Sequence, residues 1–389
     1  MSGSSEEQIS LLLRAELRGR SAYGAPQIDV PVRLNTNENS FAVPETVAQA
    51  MAHDLGQVAS GLNRYPDREF SLLREDLAGY LTRTSGIPLL PEQVWAGNGS
   101  NEVLLHVVQA FGGPGRSLMA FTPSYSMYPN YALATGTRWI DGSRGVPGAG
   151  RYDLGVDDVV RQVEEHRPDI VMIASPNNPT GTAVDLRVVE AVHDALPRAV
   201  VVVDEAYAEF ARKGTPSALS LLAGRPRLVI SRTMSKAFAL AGGRLGYLAA
   251  DPSLVDALRL VRMPYHLSTP TQVIARTALA HSDLLLAEVE ALKEQRDRIV
   301  AETLDMGLCP VPSDANFVLI DGFVDASQAW QALLDQGVLV RDVGLPGCLR
   351  VSSGTPAEVT AFLTALRIYL SSSRKASAPR DLDEERTAP

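Results

Sequence analysis

The sequence predicts an α/β fold in which a mainly parallel sheet is covered by helices on both faces, followed by a smaller α+β domain. Short, continuous apolar runs alternate with helical patterns from Val94 to Ala250, as expected for strands that are buried on both faces. Seven of these runs are predicted to form one sheet. They are QVWAGNGS, RSLMAFT, TRWIDG, PDIVMIA, RAVVVVD, PRLVIS and GGRLGYLAAD.

Four segments are predicted along the chain. Residues 1–45 form an N-terminal arm with a short helix, 46–275 a large domain, and 276–372 a small domain. Residues 373–389 are charged and poor in apolar groups, which is typical of a disordered tail. The small domain follows a long, charged helical pattern and contains three short strand patterns before a closing helix. These three patterns are SDANFVLIDG, GVLVRDVG and CLRVSSGT.

Composition limits the class of protein. A chain of 389 residues with 45% hydrophobic and 21% charged residues is typical of a soluble globular protein with two domains. A formal charge of −9 argues against nucleic acid or an anionic membrane as the main partner. Cys309 and Cys348 lack a metal-ligand spacing, so no metal site is predicted and a reducing cytoplasm fits best. Neither a signal peptide nor a membrane span is predicted.

Unusual polar clusters follow five of the predicted strands. They are GNGSNE, TPSYSMY, SPNNPTG, DEAY and SRTMSK. In parallel sheets, ligands bind beyond the carboxyl ends of the strands. One such cluster could reflect turn chemistry alone, but five at successive strand ends are predicted to share a ligand.

Lys236, one of only four lysines, lies in the run SRTMSKAFALAGGRLGY. In a poorly hydrated pocket its pKa would fall, and the neutral amine could form a Schiff base with a carbonyl. From this segment alone, a lysine that reaches the surface or pairs with an acid is an equally good interpretation. Thr233 and Ser235, at a predicted helix entry, could bind a phosphate together with Arg244.

Two further junctions offer polar groups to the same ligand. In GNGSNE, Gly97 and Gly99 would allow close backbone approach, and Ser100 and Asn101 would supply donors, although such a junction is often only a helix cap. Asp204 ends a run of valines, so its carboxylate would emerge beside the crevice. There it would pair with a protonated ring nitrogen, a metal or an arginine, or else cap the next helix.

The ligand that these groups describe is pyridoxal 5'-phosphate. Tyr207 and Asn178 could donate to one phenolate-type oxygen, and Tyr125 offers an aromatic face for stacking. The full set implies a phosphate, a planar ring with a basic nitrogen, a ring oxygen and an aldehyde for the lysine.

From about Tyr23 to Leu370 the chain resembles the fold-type I, class II pyridoxal-phosphate aminotransferases, and within them the subfamily that acts on histidinol phosphate. The family's motifs stand here in order and spacing. They are LNTNEN, NRYPD, GNGSNE, PSYSMY, SPNNPTG, DEAYAEF, RTMSKAFALAGGRLGY, PSDANF, GVLVRD and LRVSSGTP. Two positions depart from the family pattern: Ser40 replaces a common proline after NEN, and Asn101 replaces a common aspartate.

The resemblance implies a role for each cofactor residue. Lys236 would form the Schiff base and carry the proton, Asp204 would pair with the pyridine nitrogen, and Tyr125 would stack on the ring. Tyr207 and Asn178 would bind the ring oxygen. The phosphate would be held by Ser100, Asn101, Thr233, Ser235, Arg244 and, from a neighbouring subunit of an obligate homodimer, Tyr65.

The resemblance also implies a reaction. L-histidinol phosphate and 2-oxoglutarate would exchange an amino group in a ping-pong scheme of histidine biosynthesis, giving imidazole acetol phosphate and L-glutamate. Arg350 and Arg341 would hold the substrate anions, and Tyr23 and Asn37 would close over them. An aromatic amino acid aminotransferase is the alternative, and a decarboxylase for a phosphorylated amino acid would share the cofactor residues. A ligand-sensing regulator would need a DNA-binding domain, and the stretch before Tyr23 is too short for one.

Overall fold

The computed structural model describes residues 5–22, 24–145 and 152–377. The N-terminal arm contains helix α1 (Ser5–Leu12), a single 3-10 turn at Ala15–Leu17 and the two-residue strand β1 (Val32–Arg33). Helices α2 (Glu45–Ala59) and α3 (Ser71–Ser85) then begin the large domain.

A seven-stranded sheet forms the centre of the large domain and confirms all seven predicted strands. Its strands are β2 (Val94–Asn98), β3 (Ser117–Thr122), β4 (Arg138–Ser143), β5 (Ile170–Ala174), β6 (Val200–Asp204), β7 (Leu228–Thr233) and β8 (Leu245–Ala250). Their order is β2-β8-β7-β6-β5-β3-β4, and β8 runs antiparallel to both of its neighbours. The other pairs are parallel, so β5, β6 and β7 end at the same edge of the sheet.

Helices cover this sheet because its central strands are apolar on both faces. Every residue of β5, β6 and β7 is buried. The helices between and after the strands are α4 (Ser100–Phe111), α5 (Tyr128–Thr135), α6 (Val156–His166), α7 (Leu186–Ala195), α8 (Pro252–Leu258) and α9 (Thr269–Ala280). The side chains of Asp185, Asp251 and Ser268 accept backbone hydrogen bonds at the starts of α7, α8 and α9, which defines where these helices begin.

The smaller domain is an α+β unit, as predicted. Its elements are α10 (Ser282–Asp305), β9 (Cys309–Pro310), β10 (Phe317–Asp321), α11 (Ala326–Asp335), β11 (Val338–Leu339), β12 (Arg341–Asp342), β13 (Cys348–Ser352) and α12 (Pro356–Ser377). Four of the strands form an antiparallel sheet in the order β12-β13-β10-β9. The long, charged helical pattern predicted before the small-domain strands forms two helices, α9 and α10, because the backbone leaves the helical conformation at His281.

Each domain has its own hydrophobic core, and α10 contributes side chains to both cores. Leu285, Val289 and Leu292 of α10 pack into the large core, whereas Ile299 packs into the small one. The N-terminal arm joins the small domain, because β1 pairs in parallel with β11 and Leu34 lies in the small core. The first residues of the predicted tail continue α12, and residues 378–389 lie outside the described part of the chain.

Candidate active site

A cavity of about 680 Å³ opens where β5, β6 and β7 end, between the large domain and the strands β12 and β13 of the small domain. Thirteen of the predicted site residues line it. They are Asn37, Ser100, Asn101, Tyr125, Asn178, Asp204, Tyr207, Thr233, Ser235, Lys236, Arg244, Arg341 and Arg350. Tyr23 lies outside the described residues, and Tyr65 does not line the cavity.

Lys236 lies in the cavity three residues after β7. Its Nζ donates a hydrogen bond to the carbonyl oxygen of Thr36 in the N-terminal arm, at 3.0 Å. Burial, reinforced by the positive charge of Arg350, lowers the pKa of Lys236 to about 8, while Glu38 opposes that shift. A neutral, nucleophilic amine is therefore accessible near neutral pH.

Asp204, the last residue of β6, presents a buried carboxylate to the same cavity. The Tyr128 hydroxyl donates to its Oδ2 at 2.9 Å, whereas Oδ1 has no hydrogen-bond partner within the described residues. Burial raises the pKa of Asp204 to about 6. The alternative role as a helix cap is wrong, because the next helical turn, Ala208–Phe210, has Tyr207 at its N-cap position and no side-chain cap. A buried oxygen of this kind suits a protonated nitrogen as its partner.

Tyr207 and Asn178 are each held by a neighbour that donates to their oxygen. The Asn37 amide nitrogen donates to the Tyr207 hydroxyl at 3.0 Å, and Arg350 Nη1 donates to Asn178 Oδ1 at 2.6 Å. Because these oxygens already accept, the Tyr207 O–H and the Asn178 amide N–H are oriented to act as donors.

The N-terminus of α4 and the turns between β7 and β8 form the anion-binding end of the cavity. Ser100 and Asn101 open α4, where backbone N–H groups have no partner within the helix. Across from them, the Thr233 hydroxyl donates to Ser235 Oγ at 3.0 Å. Arg244 Nη2 lies 3.4 Å from the carbonyl oxygen of the residue that ends β2.

The helix entry predicted after Thr233 is wrong. Residues 234–244 fold in successive turns, closed by backbone bonds from Ala239 to Lys236 and from Gly243 to Leu240. Ala239 has a left-handed backbone conformation, which a helix excludes. Side-chain hydroxyls and the arginine, rather than a second helix N-terminus, are therefore the donors on this side.

Asn101 is fixed by two tyrosine hydroxyls. Tyr125 donates to Asn101 Oδ1 at 3.0 Å and Tyr131 donates to the same oxygen at 2.8 Å. With its oxygen doubly engaged, the amide can offer only N–H donors to the cavity. An aspartate at this position would accept the same bonds but would add a negative charge beside a bound anion.

Arg350 and Arg341 form the cationic wall that the small domain contributes. They lie opposite each other across β12 and β13. Arg350 Nη2 donates to the carbonyl oxygen of Asn35 at 2.7 Å, and its guanidinium lies 5.1 Å from the centre of the Phe317 ring. Two guanidinium groups at one wall can bind carboxylate or phosphate.

Several residues of the site were not predicted from the sequence. Thr36 accepts from Lys236, and Tyr128 donates to Asp204. Ser352 Oγ accepts from the Asn37 backbone N–H at 2.9 Å and donates to the Asn37 side chain at 3.0 Å. Tyr128 had a local signal, since it ends the same TPSYSMY cluster as Tyr125. Ser352 had none, because it lies 315 positions from Asn37.

Tyr65 lies on the surface of the large domain. Its side chain is 80% exposed, and its ring stacks on that of Tyr265 with centroids 4.4 Å apart. It contributes nothing to the cavity of its own chain.

The described residues contain neither a metal-binding group nor a membrane-spanning helix. Among them, no group of three or more histidine, cysteine, aspartate or glutamate side chains is arranged to hold a metal ion. Nor does the described part of the chain contain a helix with the length and apolar character needed to cross a membrane.

Comparisons with known proteins agree with this geometry. The family model described as aminotransferase class I and II matches residues 29–366. The chain is 56% identical to the histidinol-phosphate aminotransferase of Paenarthrobacter aurescens over 372 residues, covering 95% of this chain and 98% of that protein. It is also 56% identical to the enzyme of the same name from Frankia casuarinae, covering 92% and 89%.

A solved structure shares the fold. Histidinol-phosphate aminotransferase from Sinorhizobium meliloti, determined in complex with pyridoxal 5'-phosphate, superimposes with a TM-score of 0.77 at 27% identity. The match covers 88% of this chain and 92% of that structure.

Proposed function

This chain belongs to the class I and II aminotransferase family, and we propose that it exchanges an amino group between L-histidinol phosphate and 2-oxoglutarate with pyridoxal 5'-phosphate as cofactor. The products are imidazole acetol phosphate and L-glutamate, a step of histidine biosynthesis. One observation carries the proposal: a buried lysine with a lowered pKa and a buried carboxylate with an unpartnered oxygen line the same cavity. Curated relatives at 51–56% identity bear the name of this reaction.

The residues present fit pyridoxal 5'-phosphate. Asp204 Oδ1 is buried without a partner, and it would accept from a protonated ring nitrogen. Tyr207 and Asn178 are oriented as donors and would bind the ring oxygen. Tyr125 would stack on the ring. When bound, this cofactor supplies an electron sink that makes the substrate Cα–H acidic.

The phosphate of the cofactor would lie against α4 and the β7–β8 turns. The groups that would hold it are the backbone and side-chain donors of Ser100, Asn101, Thr233, Ser235 and Arg244. Arg244 would supply the charge, and the helix N-terminus would add its partial positive charge.

Lys236 would serve both as the residue that holds the cofactor's aldehyde and as the proton carrier. A pKa of about 8 leaves a useful fraction of the amine neutral near neutral pH. The neutral Nζ can take the proton from the substrate Cα and would then deliver it to the cofactor's C4′. A fully charged lysine, with the pKa of an exposed side chain, could do neither at that pH.

Substrate anions would bind to the cationic wall of the small domain. Histidinol phosphate has a phosphate and no carboxylate, whereas glutamate has two carboxylates. The planar guanidinium of Arg350, with Arg341 opposite it, can bind either kind of anion in a bidentate manner. Asn37 and Tyr23 would close over the substrate from the N-terminal arm.

We also propose that the protein is a cytoplasmic homodimer with shared active sites. Tyr65 is largely exposed and lies outside the cavity of its own chain. A residue that binds the phosphate in the neighbouring subunit would be expected to have both properties. Leu260 and Met263, which shortly precede Tyr265, the stacking partner of Tyr65, in the sequence, expose 86% and 74% of their surface, which supports an apolar contact there.

A screen of single half-reactions tests the substrate. The purified holoenzyme is mixed separately with histidinol phosphate, phenylalanine, aspartate and threonine phosphate, and the change in the cofactor's absorption is followed in a stopped-flow instrument. Histidinol phosphate should react fastest, because relatives at 51–56% identity are named for this substrate. Rapid reaction with phenylalanine but not with histidinol phosphate would identify an aromatic amino acid aminotransferase instead.

A further inference from the structure

Three tyrosines spaced three residues apart lie beside the cofactor cavity, and the first of them, Tyr125, lines it. Tyr125 precedes α5, and Tyr128 and Tyr131 lie within it. The rings of Tyr125 and Tyr128 meet edge to face with centroids 5.5 Å apart. Their hydroxyl groups have different acceptors: Tyr125 and Tyr131 donate to Asn101, whereas Tyr128 donates to Asp204.

We propose that Tyr128 is a positioning residue for Asp204, because its hydroxyl holds Oδ2 and thereby keeps the carboxylate ionised with Oδ1 directed at the cofactor's ring nitrogen. This inference rests on the proposed function, since it concerns the same cofactor.

The geometry of the pair supports this role. The hydroxyl-to-Oδ2 distance is 2.9 Å, within the usual range for such a bond, and the Tyr128 side chain is completely buried. Asp204 is only 5% exposed, so little of its side chain is in contact with solvent. A carboxylate with one oxygen held cannot rotate freely about Cβ–Cγ, and the direction of the other oxygen is thereby set.

The charge balance around Asp204 makes this bond important. Burial raises the pKa of Asp204 to about 6, and the hydrogen bond from Tyr128 is the largest opposing influence, ahead of the Ser231 hydroxyl and the Ala206 backbone N–H. Glu205, the next residue, adds to the rise, although it is itself paired with Arg232 at 2.7 Å. The other titratable groups that face the pair are Tyr125, Tyr131 and the buried Arg144.

Loss of the hydroxyl should therefore make Asp204 harder to ionise. Asp204 has to be charged to pair with a protonated ring nitrogen, so cofactor affinity falls as pH drops through the pKa of Asp204. A hydrogen bond to a charged group is worth about one pKa unit. In Tyr128→Phe, we expect the acidic limb of the cofactor-affinity profile to move about one pH unit higher.

The experiment is a pH titration of cofactor binding by the full-length apoprotein. The dissociation constant of pyridoxal 5'-phosphate is measured by equilibrium dialysis between pH 5 and 9. The proteins are the wild type, Tyr128→Phe, Asp204→Asn, the double variant, and Tyr131→Phe as a matched control. Tyr131→Phe removes one hydroxyl from the same helix, but its acceptor is Asn101. It should weaken binding evenly across the pH range without moving the limb.

The double variant shows whether Tyr128 acts through Asp204. Asp204→Asn should abolish the part of the limb that follows the pKa of Asp204, about 6, and leave the part that follows the pKa of Lys236, about 8. Adding Tyr128→Phe should then change nothing further. The proposal is overturned if the wild-type and Tyr128→Phe profiles superimpose, or if Tyr128→Phe weakens binding as much in the Asp204→Asn background as alone. Failure of the wild type to bind the cofactor at any pH would instead overturn the proposed function, and this inference with it. Thermal unfolding of each apoprotein identifies any variant that is not folded.

Discussion

The site depends first on the surroundings of one amine. Lys236 lies in a buried cavity with Arg350 and Arg244 as positive neighbours and a backbone carbonyl oxygen as its acceptor. Removal from water and positive neighbours both disfavour the ammonium form, so the pKa is lowered to about 8. The same group on the surface would keep its proton at neutral pH and would be a poor nucleophile.

Covalent capture of the cofactor should therefore follow the ionisation of Lys236. Because only the neutral amine attacks an aldehyde, the capture rate should rise with pH and level off above about 8. Stopped-flow absorbance of apoprotein mixed with pyridoxal 5'-phosphate measures the rate, and borohydride reduction followed by peptide mass analysis identifies the residue.

Lys236→Arg serves as the control for this prediction. It retains a positive side chain but should give no reducible bond. A reducible bond in that variant, or a wild-type rate that keeps rising to the pKa of an exposed lysine, would contradict the assignment.

At the scale of elements, the junction of β2, α4 and β8 brings backbone close to backbone. A Cβ on Gly246 of β8 would lie 2.0 Å from the Ser100 backbone nitrogen, and a Cβ on Gly99 would lie 2.4 Å from Arg244 Nη2. Gly99 also has a φ of +82°, which favours glycine. These contacts allow the start of α4 and the arginine to meet at one anion.

Gly99→Ala should consequently lower the affinity for the cofactor in addition to lowering the free energy of unfolding. Gly115→Ala is a matched control, because Gly115 has the same φ of +82° but nothing within 4 Å of an added Cβ. Both substitutions should cost about 1–3 kcal/mol in the free energy of unfolding from backbone strain, and the cost should be at least as large at Gly99, whose ψ of 163° places it in a region open essentially to glycine alone.

Only Gly99→Ala should also raise the dissociation constant of the cofactor, by about tenfold or more, because Arg244 has to move. Urea unfolding of the apoproteins and cofactor titration separate the two effects. Equal cofactor affinities in the two variants would show that the closeness of Gly99 to Arg244 has no role in binding.

At the scale of the whole molecule, the cavity exists because two domains and the N-terminal arm meet. The large domain contributes Asp204 and Lys236 at strand ends, and the small domain contributes Arg350. The arm is tied to the small domain by β1, and its Asn35 accepts from Arg350. A movement of the small domain would therefore carry the arm and the cationic wall together.

Shared sites can be tested by mixing two inactive variants. If Tyr65 acts on the neighbouring subunit, a hybrid dimer of Tyr65→Ala and Lys236→Ala has one site with both defects and one site with neither. Unfolding and refolding an equal mixture should then recover about a quarter of wild-type activity, from the half of the dimers that are hybrid.

Each variant refolded alone is the control for the mixture. Activity of the mixture no greater than the average of the two separate samples would argue that Tyr65 serves its own subunit or none.

The sequence predicted most of the fold and most of the chemistry. The seven strands were visible because each is a continuous apolar run, and the polar residues at their ends were visible because such groups rarely follow buried strands without a ligand. SRTMSK has the composition of a helix cap and predicts a helix entry, whereas residues 234–244 form turns. A helix is interrupted there at Ala239, whose left-handed φ of 54° turns the chain before it returns into β8.

The sequence by itself determined which side chains meet at the carboxyl edge of the sheet, because strand ends in a parallel sheet share one edge. Only the tertiary structure decided how those side chains are held. The bonds from Tyr128 to Asp204, from Asn37 to Tyr207 and from Lys236 to Thr36 join residues 76 to 200 positions apart. No local pattern encodes such pairs, since they form only when separate elements pack together and exclude water. That packing decides which oxygen of Asp204 is engaged and how far the pKa of Lys236 falls.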